Sequence, residues 1–333
     1  MHELRIGLDL DGSLESLGNS MTDLANSLEA TGTCELVRFR SQSKSQSPSE
    51  RSLRLKQLWR PLWRRSLGPR LDAQLNDVDI VHLAGILTPP TKSVPLVISV
   101  DDMRPFRTEE KTHLRIRQLQ RAVANGAVLA ASSRTASHEV LSVLGLERHQ
   151  VLVVPPAVPL VKPTITGSDL VVNVTGRAER FLQLAPELIR FASVHDAQVV
   201  AVTSADVRQQ IKAAGLFVTV RPRSAAAQSL ANARVALHIS DGARFPSFAI
   251  AALSAGVPTV TRNTEINREL LSGASLLLGD EDDPIGALSA IWDNEAQRAI
   301  LVAAGHSRAQ DFSPNTAAQA YLGVYHDVVK GWR

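Results

Sequence analysis

Arginines, aspartates and glycines gather at four places in this 333-residue chain where a strand-like run gives way to a helix-like one. At Gly176-Arg177-Ala178-Glu179-Arg180-Phe181 two cations flank the start of a helical pattern. Amides at a helix N-terminus and guanidinium groups together neutralise a diphosphate. The competing reading is an arginine pair on a solvated loop. His238-Ile239-Ser240-Asp241-Gly242-Ala243-Arg244-Phe245-Pro246-Ser247 is a strand end and a Gly/Pro loop leading into the small, apolar stretch 248–255. Ser240, Gly242 and Ser247 there suit an anion at a helix start, or simply make a tight turn. Ser99-Val100-Asp101-Asp102-Met103-Arg104 sets two adjacent carboxylates after a strand. They bind a hydroxylated substrate or serve as a base; alternatively Asp102 caps the next turn and pairs with Arg104 or Arg107. In the loop 9–20, Gly12 and Gly18 let backbone approach a ligand, with Asn19 beside a candidate cap at Ser20. A plain turn serves equally well there, and the spacing is not the dinucleotide pattern GxGxxG.

Holding such loops requires strands that end at one edge. Short runs rich in Val, Ile and Leu occur at 4–10, 35–39, 78–83, 96–100, 126–131 and 151–154, with helical spacing at 21–31, 111–125 and 135–144. The pattern then restarts, with strands at 170–175, 198–203, 217–221, 235–240 and 259–262. Helices at 182–194, 206–214, 225–233 and 249–255 separate them, and the remainder reads as mostly helical. Strands alternating with helices imply an α/β fold of parallel sheets covered on both faces, whose ligands bind at the carboxyl strand ends. The restart follows Pro155-Pro156-Ala157-Val158-Pro159 and Lys162-Pro163, prolines that stiffen a connection. Two Rossmann-like halves are expected, 1–160 and 161–315.

Composition narrows the class. With 44% hydrophobic and 21% charged residues the chain is neither disordered nor fibrous. Its single cysteine, Cys34, has no partner for an internal disulfide. No segment reaches the roughly 18 apolar residues of a membrane span, and residues 1–5 lead straight into a strand-like run without a signal-peptide core. A cytoplasmic protein is expected. The histidines show no metal-ligand spacing, so no metal is expected, and neither GxxxxGK[ST] nor GxSxG occurs. The serine-rich stretch 41–49 is too polar to pack and is expected to be a mobile loop. It leads into the stretch from Arg51 to Arg70, which has seven cations, no acid, and Trp59, Trp63, Leu55, Leu58 and Leu62 interleaved. Either an amphipathic helix faces its own domain or it lies on an anionic lipid surface. The net charge of +3 and the lack of a recognised module argue against nucleic acid.

Taken together, the chain resembles the GT-B-fold glycosyltransferases of the "glycosyl transferases group 1" type. Residues 77–83 (DVDIVHL) are similar to that family's "DIVH" strand, and 94–105 (VPLVISVDDMRP) to its "VPxVxTVHDLxP". Ala130-Ala131-Ser132-Ser133-Arg134-Thr135 through Glu139-Val140 resembles "VIAxSxxTxxEL", and 144–158 looks like the "LGxxxxxVxVVPxGV" approach to the hinge. Gly176 to Arg180 is similar to a shortened "GRxxxxK" phosphate loop, and Ser240 to Pro258 to the donor motif "SxxEGFGxPxLEAMAxGxPV".

The resemblance implies an acceptor domain at the N-terminus and a nucleotide-sugar domain after it, with a helix over 316–333 crossing back onto the first. It implies transfer of a sugar, with retention, from a UDP- or GDP-sugar to a glycan, lipid or small molecule, with no further cofactor. The donor side would comprise Gly176, Arg177, Arg180, Ser204, Ser240, Gly242, Phe245, Ser247 and Glu269, the last where the family has a later "PE". The acceptor side would comprise Gly12, Gly18 and Asn19, with Asp101, Asp102 and Asp241 as catalytic carboxylates. Three departures stand out. The family's histidine in "HD" is Asp101 here, and its E-x7-E glutamates fall on Ala243 and Ala251. A catalytically degenerate binding module of the same fold is therefore the alternative. A third class, a two-lobed binding-protein-like sensor, lacks the expected leader.

Overall fold

The structure is a computed structural model that describes residues 3–11, 20–43, 47–53, 56–63, 65, 67–84, 88–100, 112–162, 167–176, 178–239, 244–279 and 282–332. The chain opens with β1 (Leu4–Asp9), α1 (Ser20–Ala30), β2 (Cys34–Phe39), α2 (Lys56–Trp63), α3 (Leu71–Leu75) and β3 (Ile80–Ala84). It continues with β4 (Leu96–Ser99), α4 (Thr112–Ala124), β5 (Val128–Ala131), α5 (Arg134–Leu144) and β6 (Val151–Val153). Then follow β7 (Asp169–Val174), α6 (Glu179–Val194), β8 (Val199–Thr203), α7 (Ala205–Ala213), β9 (Thr219–Pro222), α8 (Ala226–Ala231) and β10 (Ala233–Ile239). The last elements are α9 (Ser247–Ser254), β11 (Thr259–Arg262), α10 (Glu265–Leu271), β12 (Leu276–Leu278), α11 (Pro284–Trp292), α12 (Glu295–Gln310) and α13 (Pro314–Trp332).

Two compact units result. One contains Asn19–Ala157 and Pro314–Arg333 with the N-terminal strand, the other Val158–Ser313. Each is a six-stranded, all-parallel sheet, in the orders β2-β1-β3-β4-β5-β6 and β12-β11-β10-β7-β8-β9.

Strands covered on both faces need apolar residues at every position, and their alternation shows which layer each serves. In the first unit Val81, Leu83, Leu96, Ile98, Leu129 and Ala131 join one core with α4 and α5. Ile80, Val97 and Ala130 turn to the other, where α1 and the α13 residues Ala317, Ala318, Tyr321, Leu322 and Tyr325 cover them. Gly7 on β1 leaves room for α3, since a Cβ there would stand 2.8 Å from Leu75 Cδ1. The second unit repeats the arrangement, with α9 in one core and α6 and α11 in the other.

The tail is mostly helical, as expected, and Leu276–Leu278 within it forms the edge strand β12 beside β11; three leucines in a row carry no period that separates strand from helix. Two expectations are corrected. The strand expected to begin at 217 begins at Thr219, leaving Phe217 93% exposed. The serine-rich stretch is anchored at its start: Ser41 is buried, and its amide and hydroxyl donate to Asp9 at 3.1 and 2.5 Å. The basic stretch uses its indoles for packing. Trp63 is fully buried with its N–H donating to Pro69 O at 2.9 Å, and Trp59 packs on the same core. No helix among the described residues is long and apolar enough to cross a membrane.

Candidate functional site

In the second unit, β7 and β10 are hydrogen-bonded neighbours, yet the chain leaves them toward opposite faces, through α6 and α9. Such a switch in strand order opens a crevice outside the carboxyl ends, where open α/β sheets take ligands. The two loops singled out by residue type emerge there side by side. Thr175, between β7 and the Gly176 turn, donates its amide and hydroxyl to Ile239 O at 3.3 and 3.1 Å. Thr203 at the end of β8 donates to Val174 O at 2.8 Å. The crevice floor is thus tied across three strands. Gly176 turns the chain with φ +79°, a backbone region that disfavours side chains with a Cβ.

Capped and uncapped helix starts both occur in this unit, and the two at this crevice are uncapped, as are those of α7 and α8. The N-caps of α10, α11 and α12 are Thr264, Asp283 and Asn294, each accepting backbone amides on its side chain. Ala178 before α6 and Pro246 before α9 provide no such bond. Arg180 lies in the first turn of α6, where the helix dipole disfavours a cation. It is half-buried and has no hydrogen-bond or ion-pair partner among the described residues. Positive charge and amide donors converge there, and no carboxylate pairs with Arg180 among the described residues.

The remaining donor-side candidates divide. Ser247 is buried in the first turn of α9. Phe245 is also buried, packed edge-on against Phe312 with centroids 5.7 Å apart, so its ring fixes the loop from the core side. Ser204 ends the β8 connection, but its hydroxyl donates to Asp206 at 2.5 Å. Glu269 sits toward the far end of α10, where Arg308 of α12 binds its carbonyl at 3.2 Å and that of Leu270 at 2.7 Å. That end is the opposite one from the Thr264 cap. Ala251 is fully buried inside α9, so the position aligned with a family glutamate presents no polar group. Arg177, Ser240, Asp241, Gly242 and Ala243 lie outside the described residues, as do Gly12, Gly18, Asn19, Asp101 and Asp102.

Residue-type reasoning missed a second constellation, at the carboxyl ends of β1 and β2. Asp9 accepts from Ser41 and from the amide of Asp11 at 3.1 Å. Asp11 accepts from the amides of Gln42 and Ser43 and the Ser43 hydroxyl. Arg40 holds Glu50 at 3.0 Å, the Leu10 carbonyl at 3.1 Å and Asp11 at 3.8 Å. Burial, reinforced by the Asp11 charge, pushes the Asp9 carboxyl up to about 7 against the opposing Ser41 hydrogen bond. The available signal was an acid–x–acid pair closing β1 and an arginine directly after β2. Their partners are more than 30 residues apart, and only the parallel register brings them together.

Each sheet also buries one histidine. His82 bonds Tyr325 at 2.6 Å and Ser99 at 2.8 Å, joining β3 and β4 to α13, and burial depresses it to about 3. His238 on β10 meets Asn173 on β7 at 2.8 Å, lies parallel to Phe248, and is depressed by burial to about 4. Both are neutral structural links. Among the described residues no group of three or more His, Cys, Asp or Glu is placed to hold a metal ion.

No protein-family model matches the sequence, and no curated protein sequence does. Solved structures do match. Sucrose-phosphate synthase from Thermosynechococcus elongatus superposes with a TM-score of 0.71 at 14% identity, over 98% of this chain and 99% of that one. AviGT4, a glycosyltransferase involved in avilamycin A biosynthesis, gives 0.60 at 14% identity over 98% of both. This chain has the GT-B glycosyltransferase fold. Anabaena HepE, solved in complex with UDP and glucose, shares that fold with this chain at 0.65 and 16% identity, over 97% of this chain and 99% of that one. Identities this low establish the GT-B architecture and leave the chemistry to the residues of the site.

Proposed function

We propose that the protein is a glycosyltransferase that moves a sugar from a UDP- or GDP-linked donor to a glycan, lipid or small-molecule acceptor. Arg180 carries the reading: a half-buried cation without a partner among the described residues, in the first turn of an uncapped helix, at the switch point of a parallel sheet. A diphosphate supplies the missing negative charge, and Arg177 adds a second guanidinium from the same loop. HepE, with UDP and glucose bound on the same fold, supports the reading. As the glycosidic bond breaks, charge grows on the departing nucleoside diphosphate, and preoriented guanidinium and amide donors stabilise it.

Retention of configuration, a cytoplasmic location and a clamp of arginines in place of a metal ion follow the resemblance. The acceptor belongs to the first unit, near Gly12, Gly18 and Asn19, with Asp101 and Asp102 as the carboxylates on that side. Asp241 and Asp101 stand in for the absent glutamates. Contact of the 51–70 stretch with an anionic membrane would not use its tryptophans, since both pack on the core.

Ala251 favours a second reading, a binding module that holds nucleotide without turning it over. Losing a buried, bonded carboxylate there costs about 1–3 kcal/mol of donor binding. A thermal-shift panel of UDP, GDP and their sugars, followed by a sugar-release assay, separates the readings. Stabilisation with release of nucleoside diphosphate is the expected result. Stabilisation without release under any acceptor condition selects the binding module, and no stabilisation by any of these ligands rejects both.

A further inference from the structure

His238 connects three of the elements that frame the switch-point crevice. On β10 it stands opposite Asn173 of β7 in the parallel register, one residue before Ile239, whose carbonyl ties Thr175. The Asn173 amide donates to its Nδ1 at 2.8 Å. An amide nitrogen only donates, so Nδ1 accepts and the ring hydrogen is on Nε2. Burial, which depresses the ring to about 4, keeps it neutral and keeps that acceptor available at neutral pH. The same ring lies parallel to Phe248, the second residue of α9, with centroids 6.1 Å apart and an interplanar angle of 16°.

The first turn of α9 has no side-chain cap to locate it. Ring contacts take that role on both sides of Ser247. Phe245 leans on Phe312 from the core, and Phe248 leans on His238 from the sheet. The start of α9 and the Gly176–Arg180 loop leave different strands, β10 and β7. An anion held between them is bound only as well as their separation is set, because hydrogen bonds weaken steeply with misalignment.

We infer that His238 is a positioning residue for the diphosphate end of the donor: held by Asn173, it sets where the first turn of α9 stands relative to the Gly176–Arg180 loop. This role depends on the donor-site reading of the crevice, and it involves no contact between His238 and the ligand.

The test compares UDP and uridine binding by calorimetry in the full-length protein, at a temperature where each variant is folded. His238→Leu removes the ring beneath Phe248 and should weaken UDP about tenfold and uridine by less than about twofold. His238→Phe keeps a ring there but leaves the Asn173 amide unpaired. It should unfold at a lower urea concentration than the native protein, yet bind UDP within about threefold of it. Phe248→Leu removes the same contact from the helix side and should match His238→Leu, with the double variant no weaker than either. His82→Gln, at the buried histidine of the first sheet, should lower the unfolding midpoint and leave UDP binding unchanged. Native-like UDP affinity in His238→Leu and Phe248→Leu overturns the inference, as do equal losses of UDP and uridine or a His238→Phe variant as weak as His238→Leu. The donor site itself still stands in those cases if Arg180→Ala weakens UDP. A native protein that binds neither UDP nor GDP overturns the donor-site reading and the role of His238 with it.

Discussion

The carboxyl edges of the two sheets share a topology and differ in how they use their charge. At the first, Asp9 and Asp11 accept the amides of residues 41–43, and Arg40 holds Glu50. α5 begins under a Ser133 cap. Within the β1–β2 cluster donors and acceptors satisfy one another. At the second edge, α6 and α9 start without side-chain caps, and Arg180 pairs with no carboxylate among the described residues. A charge already paired within the fold contributes to stability, whereas one left unpaired beside a crevice is available to a ligand. The same residue type, arginine, therefore has opposite meanings in the two units.

Substitutions should reveal that difference. Arg40→Ala leaves Glu50 and Asp11 buried without their cation, and the first unit should lose about 3–5 kcal/mol of stability in urea unfolding. A loss below about 1 kcal/mol would mean that the pair is effectively solvated, and the contrast between the edges would collapse.

Asp9 sharpens the contrast through pH. Its carboxyl is raised from 3.8 to about 7, so the folded unit holds that proton more tightly than the unfolded chain. The stabilising contribution is complete below about pH 4 and disappears as pH rises through 7. Relative to Asp9→Asn, the native protein should lose up to about 4 kcal/mol across that window. Parallel pH profiles for the two would show that Asp9 titrates normally.

The smallest expected effect is the most informative. Arg180→Ala should leave unfolding within about 0.5 kcal/mol of the native protein, as an unpaired surface-edge charge does. It should nevertheless weaken UDP binding about tenfold while leaving uridine unchanged. Equal losses for both ligands would move the phosphate site elsewhere.

The doubled α/β pattern was legible because parallel strands buried on both faces read as short runs of Val, Ile and Leu, and the prolines after Val154 mark the restart. β12 was not, since three leucines have no period. At the site, Gly176 and Arg180 could be found from residue type beside a helix start. The Thr175 bridge to Ile239 could not, because it depends on β7 and β10 being neighbours despite some 60 intervening residues. Phe245 and Ser204 show the converse: both have site-like positions, yet one serves the core and the other pairs with Asp206.

The most direct test maps where a nucleoside diphosphate binds. In 15N-labelled protein, UDP or GDP should shift the amides of Thr175, Gly176, Ala178 and Arg180 together with Ser247 at the start of α9. The amides of Ser41 and Ser43 should stay in place. Shifts confined to the first unit, or none at millimolar nucleotide, would contradict a donor site at the β7–β10 switch point.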